Sequence, residues 1–263
     1  MNGPVDTPMN GTSSEVQRRG VRRGVYVIPA LFTIGNVFCG FLSLDAAVKG
    51  RFDLAAGLIF LAGFLDSLDG RVARMTGSTS AFGEQLDSLS DVLSFGLAPA
   101  FLVFHWALSD FGRIGLFSSF LFLVCGACRL ARFNVQINVV DKRWFVGLPI
   151  PAAAGALCGL IWVLPEPLPD RRIAIALLVV TLLLGFLMVS TFRYRSFKDV
   201  DLKTRKSARL VPVIGLCVAA VAAWRPDVCL AGLAVLYALS APTARLVAAV
   251  VPRRTPPAEG TAA

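Results

Sequence analysis

Long apolar stretches follow one another along the chain from Val25 onward, and short polar turns separate them. The pattern predicts membrane-spanning helices at about 28–48, 52–70, 86–108, 114–131, 146–164, 172–190, 210–224 and 228–250. A helix needs roughly 20 residues to cross the hydrocarbon core of a bilayer, and most of these stretches are long enough. We therefore expect an all-α fold, a polytopic membrane helix bundle with about eight transmembrane helices.

The two ends of the chain have a different composition. Residues 1–24 are polar and include Arg18, Arg19, Arg22 and Arg23 near their end, so they predict a disordered, basic cytoplasmic tail. Residues 252–263 contain mainly Pro, Thr, Ala and Gly, and they predict a second disordered tail.

Composition agrees with a membrane protein. Hydrophobic residues make up 56% of the chain and charged residues only 16%, against roughly 25% charged in an average soluble domain. These values exclude a disordered protein, a coiled coil and an ordinary soluble globule. The net charge of +9 is expected of basic cytoplasmic loops beside anionic lipid, and we predict no nucleic-acid partner.

The distribution of cations predicts the orientation. Of 26 Lys and Arg residues, six fall in the predicted outer turns, and the other 20 fall on the opposite side. The six are Lys49, Arg51, Arg113, Arg171, Arg172 and Arg225. By the positive-inside rule, both termini face the cytoplasm, as in a prokaryotic inner-membrane protein.

Four aspartates lie at the inner ends of the second and third predicted spans: Asp66, Asp69, Asp87 and Asp91. Carboxylates at the margin of the hydrocarbon region are costly and indicate a functional site. Asp66 and Asp69 share a helical face, as do Asp87 and Asp91 four residues apart, so two antiparallel helices can bring all four together. A structural alternative is that these acids cap helices and pair with Arg71 and Arg74.

Four neighbouring carboxylates require a counter-charge, which hard divalent cations such as Mg²⁺ supply through oxygen ligands. Small residues nearby allow a large polar group to approach the backbone, and an arginine and a serine offer donors to a phosphate. These residues are Gly70, Ala73, Arg74, Ser80 and Gly83. Together they predict metal-dependent phosphate chemistry at the cytoplasmic face.

The run from Asp66 to Asp91 resembles the signature of the CDP-alcohol phosphotransferase family, D-x2-D-G-x2-A-R-x8-G-x3-D-x3-D, at every fixed position. The resemblance implies a helical membrane enzyme that transfers a phosphatidyl group from a CDP-linked lipid to an alcohol and releases CMP. It implies two divalent metals, Mg²⁺ or Mn²⁺, held by the four aspartates, with Asp91 as the base, and a homodimer. We expect a six-helix catalytic bundle over 25–200, followed by a basic loop and a C-terminal helix pair over 201–251.

Other segments are similar to the phosphatidylserine synthases within that family. They are Phe32 to Phe41, Leu86 to Ala100, Cys128 to Asn134, Gly147 to Pro149 and Ser190 to Tyr194. The similarity covers about residues 25–200, and it implies CDP-diacylglycerol and L-serine as substrates. Gly70, Ala73, Arg74, Ser80 and Gly83 would then hold the CDP-lipid.

A serine carboxylate needs a cation near the metals. Arg129 and Arg132 lie at the inner end of the fourth predicted span, and their i, i+3 spacing lets both reach one cavity. The alternative is that they are positive-inside anchors. Arg193, Arg195 and Lys198 are further candidates for the same role.

Two other functions are compatible with the residues. The same chemistry with another alcohol, such as glycerol 3-phosphate or an inositol phosphate, would need an additional basic cluster for the acceptor phosphate. A cation-coupled transporter would also use paired intramembrane acids. The transporter is disfavoured because the acids lie at one face instead of the midplane, and because the sequence has no internal repeat.

Overall fold

The computed structural model describes residues 13–77, 80–136, 144–166, 170–195 and 225–250. These residues form seven helical segments and two short strands. The helices are α1 (Ser13–Val48), α2 (Phe52–Thr76), α3 (Ala81–Phe111), α4 (Arg113–Gln136), α5 (Ile150–Val163), α6 (Arg171–Val189) and α7 (Pro226–Val250). The strands are β1 (Trp144–Val146) and β2 (Arg193–Arg195). The predicted helical class is confirmed, and the strands are a small addition that the apolar pattern does not predict.

Within the described part of the chain, four helical stretches are long and apolar enough to cross a membrane: Ala30–Val48, Ala81–Phe111, Arg113–Gln136 and Arg171–Val189. The apolar helices Ile150–Val163 and Val228–Thr243 are shorter. Helix α2 is long, but its second half carries two aspartates and two arginines. The fold is that of a polytopic membrane helix bundle. Eight spans and cytoplasmic termini stay predictions, and the predicted seventh span at 210–224 lies outside the described residues.

Several helices extend beyond the predicted spans. α1 begins at Ser13, inside the segment 1–24 that composition predicts to be disordered. α2 continues to Thr76 and ends at Gly77, whose φ of +62° favours glycine, and whose N–H donates to Ala73. The residues from Asp66 to Arg74 therefore lie on one continuous helix. Apolar content limits a predicted span, whereas backbone hydrogen bonds continue the helix into the polar margin.

α3 contains two π-helical segments. It is α-helical over Ala81–Asp91 and Ala98–Val103, π-helical over Val92–Leu97 and Phe104–Leu108, and ends in a 3₁₀ turn. The first π-helical segment ends two residues before Pro99, which has no backbone N–H to donate. The helix therefore passes this proline without a break, and its buried middle includes Phe95 and Leu102.

Helix packing brings the C-terminal ends of α2 and α4 next to the N-terminal part of α3. α1 packs along α2, α5 packs between α2 and α7, and α4 packs against α6. The strands β1 and β2 pair antiparallel with Val146 opposite Arg193, directly after α6. Many outward apolar side chains are exposed, among them Phe41, Phe64, Phe117 and Phe186, as expected of helices that contact lipid.

Candidate active site

Three carboxylates from two helices meet at one end of the bundle. Asp66 and Asp69 lie one turn apart on α2, and Asp87 faces them from α3. One oxygen from each lies within 4.8 Å of the others. Asp69 is buried, and the other two are half-buried. The spacing of the aspartates therefore places three of the four in one cluster.

The fourth predicted carboxylate lies one turn further along α3. Asp91 is close enough to Asp66, Asp87 and Arg129 to interact electrostatically with each of them. Its Oδ1 atom is buried and has no hydrogen-bond partner in the described residues. Asp91 thus joins the acidic cluster on one side and a guanidinium on the other.

The donor set of this cluster fits a divalent cation. In the described part of the chain, no ion pair within 4.0 Å links these aspartates to a lysine or arginine. The structural alternative, in which Arg71 and Arg74 neutralise the acids, therefore has no contact to support it, and both arginines are exposed. Clustered carboxylate oxygens without a direct ion pair are an environment that suits Mg²⁺ or Mn²⁺.

Thr33 on α1 is a site residue that the sequence interpretation did not assign. Its Oγ1 donates a hydrogen bond to Oδ2 of Asp69 at 3.0 Å, and both side chains are buried. A hydroxyl inside the apolar first span indicates that a hydrogen-bond partner lies nearby. That partner is 36 residues away in the chain, so spacing alone does not identify it. The bond orients one carboxylate of the cluster from outside it.

The small residues and donors predicted to hold a CDP-lipid lie at the end of α2 and the start of α3. A Cβ at Gly70 would lie 3.8 Å from the guanidinium of Arg74, so that arginine folds back along the bare backbone of its own helix. Ala73 lies between them, half-exposed. The structure thus places Gly70, Ala73 and Arg74 side by side in the turn of α2 that follows Asp69.

Ser80 and Gly83 form the N-terminal turn of α3. Ser80 is the N-cap, and its Oγ accepts a hydrogen bond from the N–H of Gly83 at 3.0 Å. Both residues are exposed. The predicted ligand residue Ser80 therefore also has a structural role, which fixes where α3 begins.

Arg129 and Arg132, predicted as equivalent, have different surroundings. Arg129 is 6% exposed, its Nε has no hydrogen-bond partner in the described residues, and it interacts with Asp91. Arg132 donates to the backbone carbonyls of four residues: Val146, Met188, Val189 and Ser190. Of the two, only Arg129 faces the acidic cluster. The side chains of Arg193 and Arg195 and the whole of Lys198 lie outside the described structure.

This end of α4 carries one contact within the helix and one contact to α3. The guanidinium of Arg129 lies over the ring of Phe133, 5.4 Å from its centre. Asn134 donates from Nδ2 to Oγ of Ser88 at 2.9 Å, next to Asp87 on α3. The bond from Asn134 to Ser88 ties the arginine side of the site to the carboxylate side, and the contact with Phe133 on the same helix restrains the guanidinium of Arg129.

Comparison with known proteins agrees with this geometry. The chain is 44% identical over 178 residues to the CDP-diacylglycerol–serine O-phosphatidyltransferase of Helicobacter pylori, covering 67% of this chain and 75% of that protein. It is 39% identical over 177 residues to the protein of that name from Methanocaldococcus jannaschii, covering 67% and 78%. An archaetidylserine synthase of Methanothermobacter thermautotrophicus is 44% identical over 129 residues, covering 48% and 54%.

A family model supports the assignment independently of these relatives. The model for CDP-alcohol phosphatidyltransferases matches residues 26–187, which is more than half of the chain and includes all four aspartates. With three carboxylates clustered, a fourth beside them and a family model that matches more than half of its length, the chain belongs to the CDP-alcohol phosphatidyltransferase family.

Proposed function

We propose that this protein transfers the phosphatidyl group of CDP-diacylglycerol to the hydroxyl of L-serine, giving phosphatidylserine and CMP. The observation that carries serine as the acceptor is Arg129, a buried guanidinium beside Asp91 with an Nε that no described residue uses. Relatives named for serine transfer, 34–44% identical, support the same acceptor.

Asp91 is the proposed general base. It takes the proton from the serine hydroxyl, and the serine oxygen forms a bond to the phosphorus that carries the diacylglycerol group. The bond from that phosphorus to the oxygen of CMP breaks, and CMP leaves with the electron pair. The unpartnered Oδ1 of Asp91 is the atom proposed to accept the proton.

Asp66, Asp69 and Asp87 are the proposed ligands of the divalent metals, with Asp91 as an additional ligand. A bound Mg²⁺ or Mn²⁺ supplies charge stabilisation to the phosphates of the donor and to the leaving group. Thr33 keeps the carboxylate of Asp69 turned toward this position through its hydrogen bond.

The remaining residues divide between the two substrates. Gly70, Ala73, Arg74, Ser80 and Gly83 are proposed to hold the CDP portion at the junction of α2 and α3, while the acyl chains stay in lipid. Arg129 is proposed to pair with the serine carboxylate, since a planar guanidinium binds a carboxylate through two parallel hydrogen bonds.

The location of the site belongs to the same proposal. With eight spans and both termini inside, the acids face the cytoplasm of a prokaryotic-type inner membrane, where a soluble amino acid and a CDP-lipid head group meet. We also propose the division into a 25–200 catalytic bundle and a 201–251 C-terminal part. The homodimer is proposed from the family alone.

An acceptor panel tests the proposal directly. Purified protein is incubated with CDP-diacylglycerol, Mg²⁺ or Mn²⁺ and one of four acceptors: L-serine, ethanolamine, glycerol 3-phosphate or inositol phosphate. We expect metal-dependent CMP release with serine at least ten times faster than with the others. Faster CMP release with a phosphorylated alcohol would identify that alcohol, and not serine, as the acceptor. No CMP release with any acceptor would reject the transferase and leave a cation-coupled transporter as the alternative.

A further inference from the structure

The C-terminal end of α6 is unusual because donors from outside the helix bind its last carbonyl groups. The final four carbonyls of a helix have no partner within the helix, so other groups or water must bind them. Here the carbonyls of residues 187–192, which we call the α6 corner, all accept hydrogen bonds from distant parts of the chain. No glycine in a left-handed conformation ends this helix.

Arg132 on α4 supplies half of these bonds. Its Nη1 donates to Val189 at 2.9 Å, and its Nη2 lies 3.3 Å from the carbonyl of Met188 and 3.2 Å from that of Ser190. The same Nη2 lies 3.0 Å from the carbonyl of Val146 on β1. A cation at a helix C-terminus is stabilised by the carbonyl dipoles, so this guanidinium is bound by charge as well as geometry.

The chain before α5 supplies two more donors. The N–H of Gly147 donates to Phe192 at 2.8 Å, and the N–H of Leu148 donates to Leu187 at 3.0 Å. Gly147 has a φ of +81°, and a Cβ there would collide with the carbonyl oxygen of Met188 and approach Nη2 of Arg132 to 2.7 Å. Only glycine fits at the point where Arg132 meets the α6 corner.

The last donor comes from α7. Arg245 donates from Nη2 to the carbonyl of Thr191 at 2.9 Å, and its guanidinium lies 4.5 Å from the ring centre of Phe192. Tyr194, just beyond the corner, is fully buried and donates to the carbonyl of Ala238 on α7 at 3.0 Å. Helix α7 lies beyond the residues 26–187 that the family model matches, yet it holds this corner.

We infer that Arg132 and Arg245 are positioning residues for the acceptor: by fixing the α6 corner to α4 and α7, they hold the turn of α4 that carries Arg129. The inference rests on the proposed function, in which Arg129 binds the serine carboxylate. Arg129 lies one turn before Arg132, and the two guanidiniums are close enough to repel each other. The corner carbonyls offset that repulsion on the Arg132 side and leave Arg129 directed at Asp91.

Steady-state kinetics in detergent with CDP-diacylglycerol and serine test this role. Arg132→Ala is expected to raise KM for serine about tenfold, and Arg245→Ala about threefold, each with KM for CDP-diacylglycerol changed less than twofold. Arg132→Lys should recover only part of the loss, since one ammonium cannot reach carbonyls on both α6 and β1. Arg171→Ala, at the opposite end of α6, is the matched control and should leave both KM values unchanged.

Double variants separate positioning from direct binding. If Arg132 and Arg245 act through Arg129, their effects should disappear in an Arg129→Ala background. Additive losses would instead mean that Arg132 binds serine itself and would overturn the inference. Lower melting temperatures with unchanged KM for serine would reduce both arginines to structural roles. Arg245 is exposed, so its variants decide the question even if Arg132→Ala does not fold.

The positioning role and the proposed function can be rejected separately. A wild-type protein without serine-dependent CMP release would reject the acceptor. A wild-type protein active with serine, whose Arg132 and Arg245 variants keep its KM, would reject only the positioning role.

Discussion

The carboxylate side and the arginine side of the site are built in different ways. The carboxylates lie on α2 and α3, which are consecutive in the chain, and helical spacing alone brings Asp66 and Asp69 onto one face. Arg129 and Arg132 also share a face on α4, yet one is directed at Asp91 and the other binds carbonyls of α6 and β1. Spacing therefore determines which side chains are neighbours, and tertiary contacts determine which of them stay available to a substrate.

The carboxylate side should be the more sensitive to substitution. Asp91→Asn removes the proposed base but keeps the shape of the side chain, so kcat should fall by at least about 10²-fold while CDP-diacylglycerol still binds. CMP release and binding of the CDP-lipid are measured on the same preparation. Near-normal turnover would show that another group takes the serine proton.

On the arginine side, Arg129→Ala should lower kcat/KM for serine by about 10- to 100-fold, the range expected for a charge-assisted hydrogen bond. The kcat/KM for ethanolamine, which lacks the carboxylate, should fall less. The ratio of kcat/KM for serine to that for ethanolamine should therefore decrease. Arg129→Lys keeps the charge without the planar guanidinium, so its kcat/KM for serine should lie between those of the wild type and Arg129→Ala. An unchanged preference in Arg129→Ala would place the carboxylate elsewhere.

The sequence predicts the local parts of this molecule well. The apolar stretches predict the helices that form the bundle. The spacing of the four aspartates predicts one carboxylate pocket, and the structure clusters three of them, Asp66, Asp69 and Asp87. Both depend on contacts within one helix or between two helices joined by a short turn. Helical periodicity is sufficient information for such contacts.

The long-range parts could not be predicted. The bond from Thr33 to Asp69 joins residues 36 apart, and Arg132 meets Val189 across 57 residues. The winding of α3 through Val92–Leu97 and the pairing of β1 with β2 also follow from tertiary packing. Each requires knowing which helices are neighbours, and the apolar pattern of a membrane protein does not state this.

Substitution of Thr33 should have an intermediate effect, because Thr33 orients a proposed metal ligand but is not a ligand itself. Thr33→Val removes the hydroxyl but keeps the shape, so Asp69 loses its hydrogen bond and Mn²⁺ affinity should fall about tenfold. Binding is measured by the paramagnetic resonance signal of free Mn²⁺, independently of activity. Thr33→Ser should bind Mn²⁺ like the wild type. Equal affinity in the valine variant would mean that Asp69 needs no orientation or binds no metal.

The smallest effect is expected for an aspartate at the other end of the bundle. Asp45 on α1 pairs with Lys49 at 2.6 Å, and both side chains are more than half exposed. Exposed ion pairs contribute about 0–1 kcal/mol, so Asp45→Asn should change activity and Mn²⁺ affinity less than twofold. Comparison with Asp91→Asn thus separates position from charge, since both variants remove one carboxylate from a chain of net charge +9. Similar losses in the two would mean that overall charge, and not the cluster at α2 and α3, controls the reaction.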